Sequence, residues 1–273
     1  MSYISGLLPG LVSSLKAEED PADQALRADP GPTRNPYWEQ VRRLPGEDIT
    51  LQYEGRWEPR AFPWPPGFEL PVGQPALPDT GPTRDDLCWK YAWAIPDPAS
   101  LAFLVDLEAR LGGRGILELG AGTGYWAWQL NQLGITVVAY DEMPPDRAAN
   151  HWHRPHRRRS RHDSAAHPTR PVFHPVGQGG AELAAAGPDL TLLLCWPPYA
   201  TPFADQALAH YAGTRLIYIG EGPGGCCADD GFFARLDADW EEIDHHRPVN
   251  WWGIHDWITA YQRKPTSTDM RRP

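Results

Sequence analysis

The sequence predicts a three-layer α/β domain built on a mostly parallel sheet. Two observations indicate this class: short apolar runs alternate with stretches of helical periodicity from residue 95 onward, and a glycine-rich turn joins the first of these runs to a helix. A third observation refines it, because the last two strand-like runs, 241–249 and 256–262, have no clear helix between them. We therefore expect one antiparallel strand at the end of the sheet.

The individual elements follow from local signals in chain order. Pro98 follows Asp97 at a helix start, and Gly112 ends that helix. Uncharged apolar runs such as 190–194 are typical of strands that are buried on both faces. On these grounds we expect strands at 115–120, 135–140, 172–176, 189–196, 216–219, 241–249 and 256–262, and helices at 98–111, 125–133, 203–211 and 228–240.

The chain before residue 86 has a different composition. Proline recurs throughout this stretch, which excludes long helices and central strands, and aromatic residues such as Trp38 and Trp64 are interleaved with it. Because a disordered tail would be poor in aromatics, we predict that 1–85 is an arm packed on the core. The main domain is then expected at 86–265, with a basic loop insertion at 142–170 and a polar tail at 266–273.

The composition disfavours several classes of function. The formal net charge of -10 argues against non-specific binding to a phosphate backbone, which requires clustered cations. No window reaches about 18 apolar residues, so we expect no membrane span. The four cysteines contain no C-x-x-C pair and match no zinc spacing. We therefore expect no metal site, reduced cysteines and a cytoplasmic location.

The most informative segment runs from 116 to 124 and reads ILELGAGTG. Only glycine lets the backbone approach a ligand closely and adopt a positive φ at little cost. Asp141 ends the next strand, where such units place a carboxylate on the two ribose hydroxyls of a nucleotide. The dinucleotide fingerprint G-x-G-x-x-G would need glycine at the position of Tyr125, whereas Glu118 suits a ligand with an amino acid end and a sulfonium.

This segment resembles motif I of the class I S-adenosylmethionine (SAM)-dependent methyltransferases. The run VVAYD, which ends at Asp141, looks like their acidic second motif, and the order of elements is similar over 86–264. The resemblance implies a three-layer, Rossmann-like methyltransferase fold with a seven-stranded sheet whose last strand is antiparallel. It also implies SAM as the cofactor, with Gly120 and Gly122 beside its methionine portion and Asp141 on its ribose.

Aromatic residues near the turn are candidates for the wall of the cofactor site, because a sulfonium is attracted to aromatic faces. Plain packing of these large side chains is the alternative. Segments that precede the first helix often close over the cofactor in the family that the chain resembles, and Gln178 is expected near the adenine. The expected cofactor contacts are Glu118, Gly120, Ala121, Gly122, Gly124, Tyr125, Trp126, Asp141, Tyr91, Trp93, Gln178 and Trp196.

The segment CWPPY at 195–199 ends a strand and is similar to the Asn/Asp-Pro-Pro-Tyr motif of amino methyltransferases. In that motif the first side chain and a backbone carbonyl hold the target amine. Here the first residue is Trp196, whose indole donates one hydrogen bond and accepts none, which weakens an adenine-methylating interpretation. The carboxyl end of a strand still favours a substrate wall, made by Trp196, Pro197 and Tyr199.

Two side chains are candidates for a general base. Glu221 lies in a glycine-rich turn after a strand, and His255 has an imidazole suited to base work near neutrality. A solvated loop carboxylate and a structural histidine are the respective alternatives. The loop with His151, His153, His156 and five arginines could bind metal or phosphate, but no carboxylate pair or cysteine completes a site, so we interpret it as a basic insertion.

These features together predict a SAM-dependent methyltransferase in which the acceptor atom attacks the methyl carbon from the side opposite the sulfur. Alignment and exclusion of water would supply most of the rate gain. We expect a small-molecule acceptor, bulky or apolar, rather than nucleic acid, because the Pro/Trp-rich arm would form part of its pocket. The alternatives are a protein or nucleic-acid methyltransferase that uses the Arg-rich loop, and a SAM-binding protein that transfers no methyl group.

Overall fold

The computed structural model describes residues 21–44, 49–50, 82–145 and 171–265. The predictions made for most of the arm before residue 82, for the basic insertion with His151, His153 and His156, and for the tail lie outside the described residues. No helix in the described part of the chain is both long and apolar enough to cross a membrane.

The described residues form one seven-stranded sheet and a separate pair of short strands. The strands are β1 (Ile49–Thr50), β2 (Ile116–Leu119), β3 (Val137–Asp141), β4 (Val176–Gln178), β5 (Thr191–Cys195), β6 (Arg215–Gly220), β7 (Trp240–His246), β8 (Asn250–Trp251) and β9 (Trp257–Arg263). The α-helices are α1 (Pro21–Ala28), α2 (Pro36–Val41), α3 (Arg84–Lys90), α4 (Pro98–Arg110), α5 (Tyr125–Gln132), α6 (Phe203–His210) and α7 (Asp230–Asp239). A 3₁₀ helix, which the sequence analysis did not predict, spans Ala181–Ala186.

The large sheet has the strand order β4-β3-β2-β5-β6-β9-β7. Neighbouring strands from β4 to β6 are parallel, and β9 runs antiparallel to both β6 and β7. The expectation of seven strands with one antiparallel strand is therefore confirmed. The chain moves outward from β2 to β4 and then returns to β5, so a crevice opens at the carboxyl ends of β2 and β5, where α/β proteins bind ligands.

Helices cover both faces of the sheet. Consecutive strand residues point to opposite faces, so neighbouring residues of one strand pack against different helices. Leu193 of β5 packs in the cluster that contains α4 and α5 residues. Its neighbours Leu192 and Leu194 pack in the cluster that contains α6 and α7 residues. All three leucines are fully buried, which explains why this strand reads as a continuous apolar run.

Side-chain caps set the starts of the two helices that flank these clusters. Asp97 Oδ1 accepts hydrogen bonds from the backbone N–H groups of Ala99 and Ser100 at 2.9 and 3.0 Å, as expected from the sequence. Asp229 Oδ1 accepts from the N–H of Phe232 at 3.1 Å. The helix expected at 228–240 therefore begins only at residue 230.

The expected strand at 172–176 is displaced toward the carboxyl end of the chain. The observed strand β4 begins at Val176, directly after Pro175, which has no N–H to donate to a neighbouring strand. The described residues directly before it do not pair with a strand of the sheet. Instead, the N–H of Phe173 donates to the carbonyl O of Thr123 at 2.9 Å. Its ring packs in a third cluster, below the glycine turn.

This third cluster joins the residues before 50 to the rest of the fold. Tyr37 and Trp38 of α2 are fully buried in it. Asn35 caps α2 through the N–H of Trp38 at 3.0 Å, and its Nδ2 donates to the carbonyl O of Pro96 at 2.7 Å. Strand β1 pairs antiparallel with β8. The division into an arm and a main domain itself stays a prediction.

Candidate functional site

A cavity of about 270 Å³ lies at the carboxyl ends of β2, β3 and β5, where the sheet topology opens its crevice. A larger and more open depression of about 530 Å³ lies between α7 and the strands β6, β7 and β9, and none of the predicted site residues lines it. The smaller cavity is therefore the candidate site. Its lining residues are Tyr91, Ala92, Trp93, Glu118, Gly120, Ala121, Gly122, Thr123, Trp126, Asp141, Glu142, Met143, Cys195, Trp196, Pro197, Pro198, Tyr199, Phe203 and Cys226.

The glycine turn forms one wall of this cavity. Gly120, Gly122 and Gly124 have φ values of +75°, +53° and +70°, in the left-handed region that glycine adopts at little cost. A Cβ on Gly120 would lie 3.4 Å from the ring of Phe203, the first residue of α6, which also lines the cavity. The turn therefore offers backbone, rather than side chains, to a ligand.

Glu118 is a buried carboxyl at the bottom of the site. It is 2% exposed, and its Oε2 has no hydrogen-bond partner among the described residues. Burial raises the pKa of Glu118 to about 8, a backbone hydrogen bond from Ala127 opposes this rise, and the charge of Asp141 adds to it. A cationic group bound nearby would restore the charged form and supply the missing partner.

Asp141 holds the glycine turn from the neighbouring strand. Its Oδ2 accepts from the backbone N–H of Gly122 at 2.9 Å, and its Oδ1 accepts from the N–H of Met143 at 2.8 Å. Each carboxylate oxygen can accept more than one hydrogen bond. One side chain thus fixes the turn and presents acceptors to the cavity.

The segment 91–93 closes the cavity on the side of α5. The hydroxyl of Thr123 donates to the carbonyl O of Tyr91, which ties the segment to the glycine turn. The ring of Tyr91 stacks on that of Tyr37, with centroids 5.0 Å apart. Trp93 stacks on Trp196 across the cavity wall, with centroids 5.3 Å apart and ring planes inclined by 12°.

The Trp-Pro-Pro-Tyr loop continues this wall, because Trp196 is in direct stacking contact with Trp93. The indole Nε1 of Trp196 donates to Asp256 Oδ2 at 2.8 Å, so the polar atom of this ring is already engaged. The carbonyl O of Pro197 accepts from the N–H of Ala228 at 3.0 Å. Both groups that correspond to the amine-holding pair of the similar motif thus have protein partners, whereas Tyr199 is 64% exposed at the rim.

The two predicted bases lie beside the cavity but do not line it. The backbone N–H groups of Cys226 and His255 donate to Glu221 at 2.7 and 2.9 Å. Burial alone would raise the pKa of Glu221, but these hydrogen bonds outweigh it and lower the pKa below its usual value. His255 Nδ1 lies 3.4 Å from Glu221 Oε1, and its side chain is largely exposed. Their role in proton transfer stays a prediction.

Three of the expected cofactor contacts lie outside the cavity lining. Tyr125 faces away from the cavity, because its hydroxyl donates to Asn35 Oδ1 at 2.8 Å and accepts from the N–H of Tyr37 at 3.0 Å. Gly124 caps α5 and packs against His174. Gln178 is exposed, with its Nε2 3.5 Å from the carbonyl O of Glu142. Contact of these three residues with a cofactor stays a prediction.

The fold also brings to the cavity, or directly next to its wall, residues that carry no signal in the sequence. Phe203, Cys226 and Asp256 lie far apart in the chain and belong to no motif. Asp256 reaches the site because β9 inserts beside β6, which places the start of β9 at the same sheet edge as the carboxyl ends of the parallel strands. Among the residues that the structure describes, no three His, Cys, Asp or Glu side chains are grouped so as to hold a metal ion.

Comparison with known proteins gives partial matches. The ribosomal RNA large subunit methyltransferase M of Marinobacter nauticus is 39% identical over 79 residues, which are 28% of this chain and 20% of that protein. The protein of the same name from Azoarcus sp. is 38% identical over 89 residues, 31% of this chain and 21% of its own. The match thus spans about a fifth of the length of these relatives. No family model matches the chain.

Among solved structures, magnesium protoporphyrin IX methyltransferase from Synechocystis PCC 6803 with bound SAM is 14% identical and covers 61% of this chain and 79% of its own. Its TM-score of 0.37 is low, and this likeness adds nothing to the topology described above. The strand order and the glycine turn agree with the Rossmann-like methyltransferase fold that the sequence resemblance implies, and the matched segment is similar to these ribosomal RNA methyltransferases.

Proposed function

We propose that this protein is a SAM-dependent methyltransferase that binds SAM in the 270 Å³ cavity. The observation that carries the proposal is that the glycine turn lies between two acidic side chains in different surroundings. Asp141 is fixed on the turn by backbone N–H groups, and Glu118 is buried with a raised pKa. A ligand with hydroxyls at one end and a cationic amino acid at the other complements this arrangement, and the names of the sequence relatives support it.

Each part of the cavity has a proposed role. Asp141 accepts hydrogen bonds from the ribose hydroxyls, and Glu118 faces the amino end of the methionine portion. Gly120 and Gly122 allow the ligand to approach the backbone because no Cβ intervenes. Trp93 and Trp196 provide aromatic faces toward the sulfonium.

When bound, SAM supplies an electrophilic methyl group. The chain's own contribution is to align the acceptor with that group and to exclude water, which can supply several kcal/mol of the rate gain. Because Glu221 is held by backbone N–H groups and has a lowered pKa, it is a weak base, and proton removal by Glu221 or His255 would matter only for acceptors that carry a proton at the reacting atom.

Calorimetry tests the cofactor site directly. We expect the wild type to bind SAM and its demethylated product, and Asp141→Asn to bind both about 10- to 100-fold more weakly, because charge-assisted hydrogen bonds to the ribose are lost. Asp189→Asn is the matched control, since Asp189 is an exposed acid that precedes β5 and does not line the cavity. Failure of the wild type to bind either ligand would reject the proposal, and unchanged affinity in Asp141→Asn would reject the ribose contact.

The acceptor end of the cavity favours an apolar or aromatic small molecule. Its walls are Trp93, Trp196, Pro197, Pro198 and Phe203, and the indole N–H and the first proline carbonyl are engaged by the protein. An amine acceptor that needs two hydrogen-bond acceptors at this point would find the Pro197 carbonyl already bonded and no acceptor on the Trp196 side chain. The arm 1–85 was expected to form part of this pocket, and its residues 51–81 lie outside the described residues.

RNA is the second candidate acceptor, and the names of the relatives favour it, since they are ribosomal RNA methyltransferases. The two candidates are distinguished by incubating the protein with SAM labelled in its methyl group, together with ribosomal RNA or with a low-molecular-weight cell extract. Label in RNA, with RNA binding that weakens steeply with salt, supports RNA as the acceptor. Label in small molecules supports the apolar pocket, and tight SAM binding without any labelled product would indicate a SAM-binding protein that transfers no methyl group.

A further inference from the structure

We propose that Asp256 is a positioning residue that fixes the indole ring of Trp196 against Trp93 and thereby sets how strongly this aromatic wall attracts a cation. The inference rests on the proposed function in one respect, because the cation is the sulfonium of SAM. Asp256 does not itself line the cavity, so it acts through Trp196, which does.

Trp196 is held at three points. Its indole Nε1 donates to Asp256 Oδ2 at 2.8 Å, and its backbone N–H donates to the carbonyl O of Ile219 at 2.8 Å. Its ring stacks nearly parallel to that of Trp93. Its φ of +51° is a left-handed conformation that a residue with a large side chain keeps only where the surroundings fix it. The ring is therefore a constrained surface whose orientation depends on Asp256.

Asp256 is itself held from its backbone. Its N–H donates to Asn250 Oδ1 at 3.2 Å, and its carbonyl O accepts from Asn250 Nδ2 at 3.2 Å. The residue is 2% exposed, and its Oδ1 has no hydrogen-bond partner among the described residues. A buried carboxyl with one unsatisfied oxygen destabilises a fold, so this arrangement indicates a role beyond packing.

The charge of Asp256 changes near neutral pH. Burial raises the pKa of Asp256 to about 7; the charge of Glu221 adds to the rise, and the hydrogen bond from Trp196 and the charge of Arg84 oppose it. The other titratable side chains that face Asp256 have raised pKa values and are uncharged at this pH: Cys195, Cys226, Cys227 and Tyr218. Most of the change in charge therefore falls between about pH 6 and pH 8.

Ionisation of Asp256 makes its bond to the indole charge-assisted and places a negative charge at the N–H edge of the ring. Both effects favour a cation at the ring face. SAM carries a sulfonium, whereas its demethylated product carries a neutral thioether. The preference for SAM over that product should therefore increase as pH rises through the pKa of Asp256.

Two measurements test the inference, with Asp256→Asn and Trp196→Phe as paired variants. Asparagine keeps an oxygen acceptor but cannot ionise, and phenylalanine keeps an aromatic ring but cannot donate. In protein labelled with ¹⁵N at tryptophan, the Trp196 indole resonance, identified by its absence from Trp196→Phe, should titrate near pH 7 in the wild type and stay constant in Asp256→Asn.

The second measurement is the ratio of the dissociation constants of SAM and its demethylated product at pH 6 and pH 8. We expect the preference for SAM to rise by about threefold to tenfold in the wild type, and by less than about twofold in either variant and in the double variant. Glu118 also titrates in this range, and because Asp256→Asn retains Glu118, the change of the ratio with pH in that variant measures the contribution of Glu118.

A Trp196 resonance that does not titrate in the wild type would overturn the inference, as would effects of the two substitutions on the ratio that simply add in the double variant. If the wild type binds neither ligand, the proposed function and the sulfonium contact both fail. The indole titration then still decides whether Asp256 controls Trp196. It needs only the wild type once the resonance is assigned, so poor folding of Asp256→Asn does not prevent the test.

Discussion

The two acids beside the glycine turn show how the environment of a single residue sets its chemistry. Asp141 is held by two backbone N–H donors, whereas Glu118 has one hydrogen bond from Ala127 and is otherwise enclosed by the core. Desolvation therefore dominates at Glu118 and keeps it protonated at neutral pH in the absence of a cation. Binding of a cationic ligand would release that proton.

Glu118→Gln should make stability less dependent on pH. The pKa of Glu118 is higher in the folded protein, about 8, than its ordinary value of 4.5, so the folded state keeps a proton that the unfolded state has released. Wild-type stability therefore falls as pH rises between about 5 and 8. We expect Glu118→Gln to be more stable than the wild type by about 2–4 kcal/mol at pH 9 and to show no such gain at pH 4.

Urea unfolding at these two pH values provides the measurement, and Glu241→Gln, at an exposed position of β7, provides the control. The control should follow the wild type at both pH values. Equal slopes of stability against pH for Glu118→Gln and the wild type would show that Glu118 ionises normally in the fold.

At the scale of elements, the turn between β2 and α5 combines local backbone demands with tertiary contacts. Gly124 has a positive φ, and a Cβ there would lie 3.0 Å from the Cβ and carbonyl O of His174 and from Val176. Gly112 also has a positive φ, but a Cβ there would meet nothing within 4 Å. A substitution at Gly112 therefore introduces backbone strain alone, whereas a substitution at Gly124 introduces both backbone strain and crowding.

Gly124→Ala should accordingly destabilise the protein more than Gly112→Ala. The left-handed backbone costs about 1–2 kcal/mol for alanine at either position, and crowding against His174 and Val176 adds about 1–3 kcal/mol at position 124 alone. Thermal or urea unfolding of the two variants measures the difference. Equal destabilisation would mean that β4 and the segment before it move aside without cost.

At the scale of the whole molecule, the described residues form three buried clusters, of which the third joins residues 35–49 to the glycine-turn helix. Tyr125 is central to that junction, because its hydroxyl connects Asn35 and the backbone of Tyr37 to α5. The same ring forms edge contacts with Tyr37 and Phe173. Helix α2 thus packs on the back of the turn rather than over the cavity.

Tyr125→Phe should therefore weaken the fold without weakening ligand binding. We expect a loss of about 1–3 kcal/mol, since the buried N–H of Tyr37 loses its acceptor and Asn35 Oδ1 loses one of its two donors. We expect no more than about a twofold change in SAM affinity. Tyr199→Phe, the same substitution at an exposed side chain, should change stability by less than about 0.5 kcal/mol. A large loss of SAM affinity in Tyr125→Phe would restore the original expectation that this ring contacts the cofactor.

Much of the fold followed from the sequence, because the buried strands and capped helices carry local signals. The run at 190–194 and the Asp97 cap are examples that the structure confirms. Features that depend on residues distant in the chain were harder to predict. Contacts more than 30 residues apart set the start of β4 after Pro175 and the direction of the Tyr125 side chain toward Asn35. The Asp256–Trp196 pair was not foreseen, since adjacency of β9 and β6 brings together residues 60 positions apart.

The insertion of β9 between β6 and β7 also has a consequence for biosynthesis. Strand β7 is made before β9, yet it reaches the sheet only through β9. While a ribosome is still adding residues 247–263, one side of β6 has unpaired backbone N–H and C=O groups. This edge could pair with a strand of another chain. We therefore expect the sheet, and with it the contact between Asp256 and Trp196, to be completed late in the synthesis of each chain.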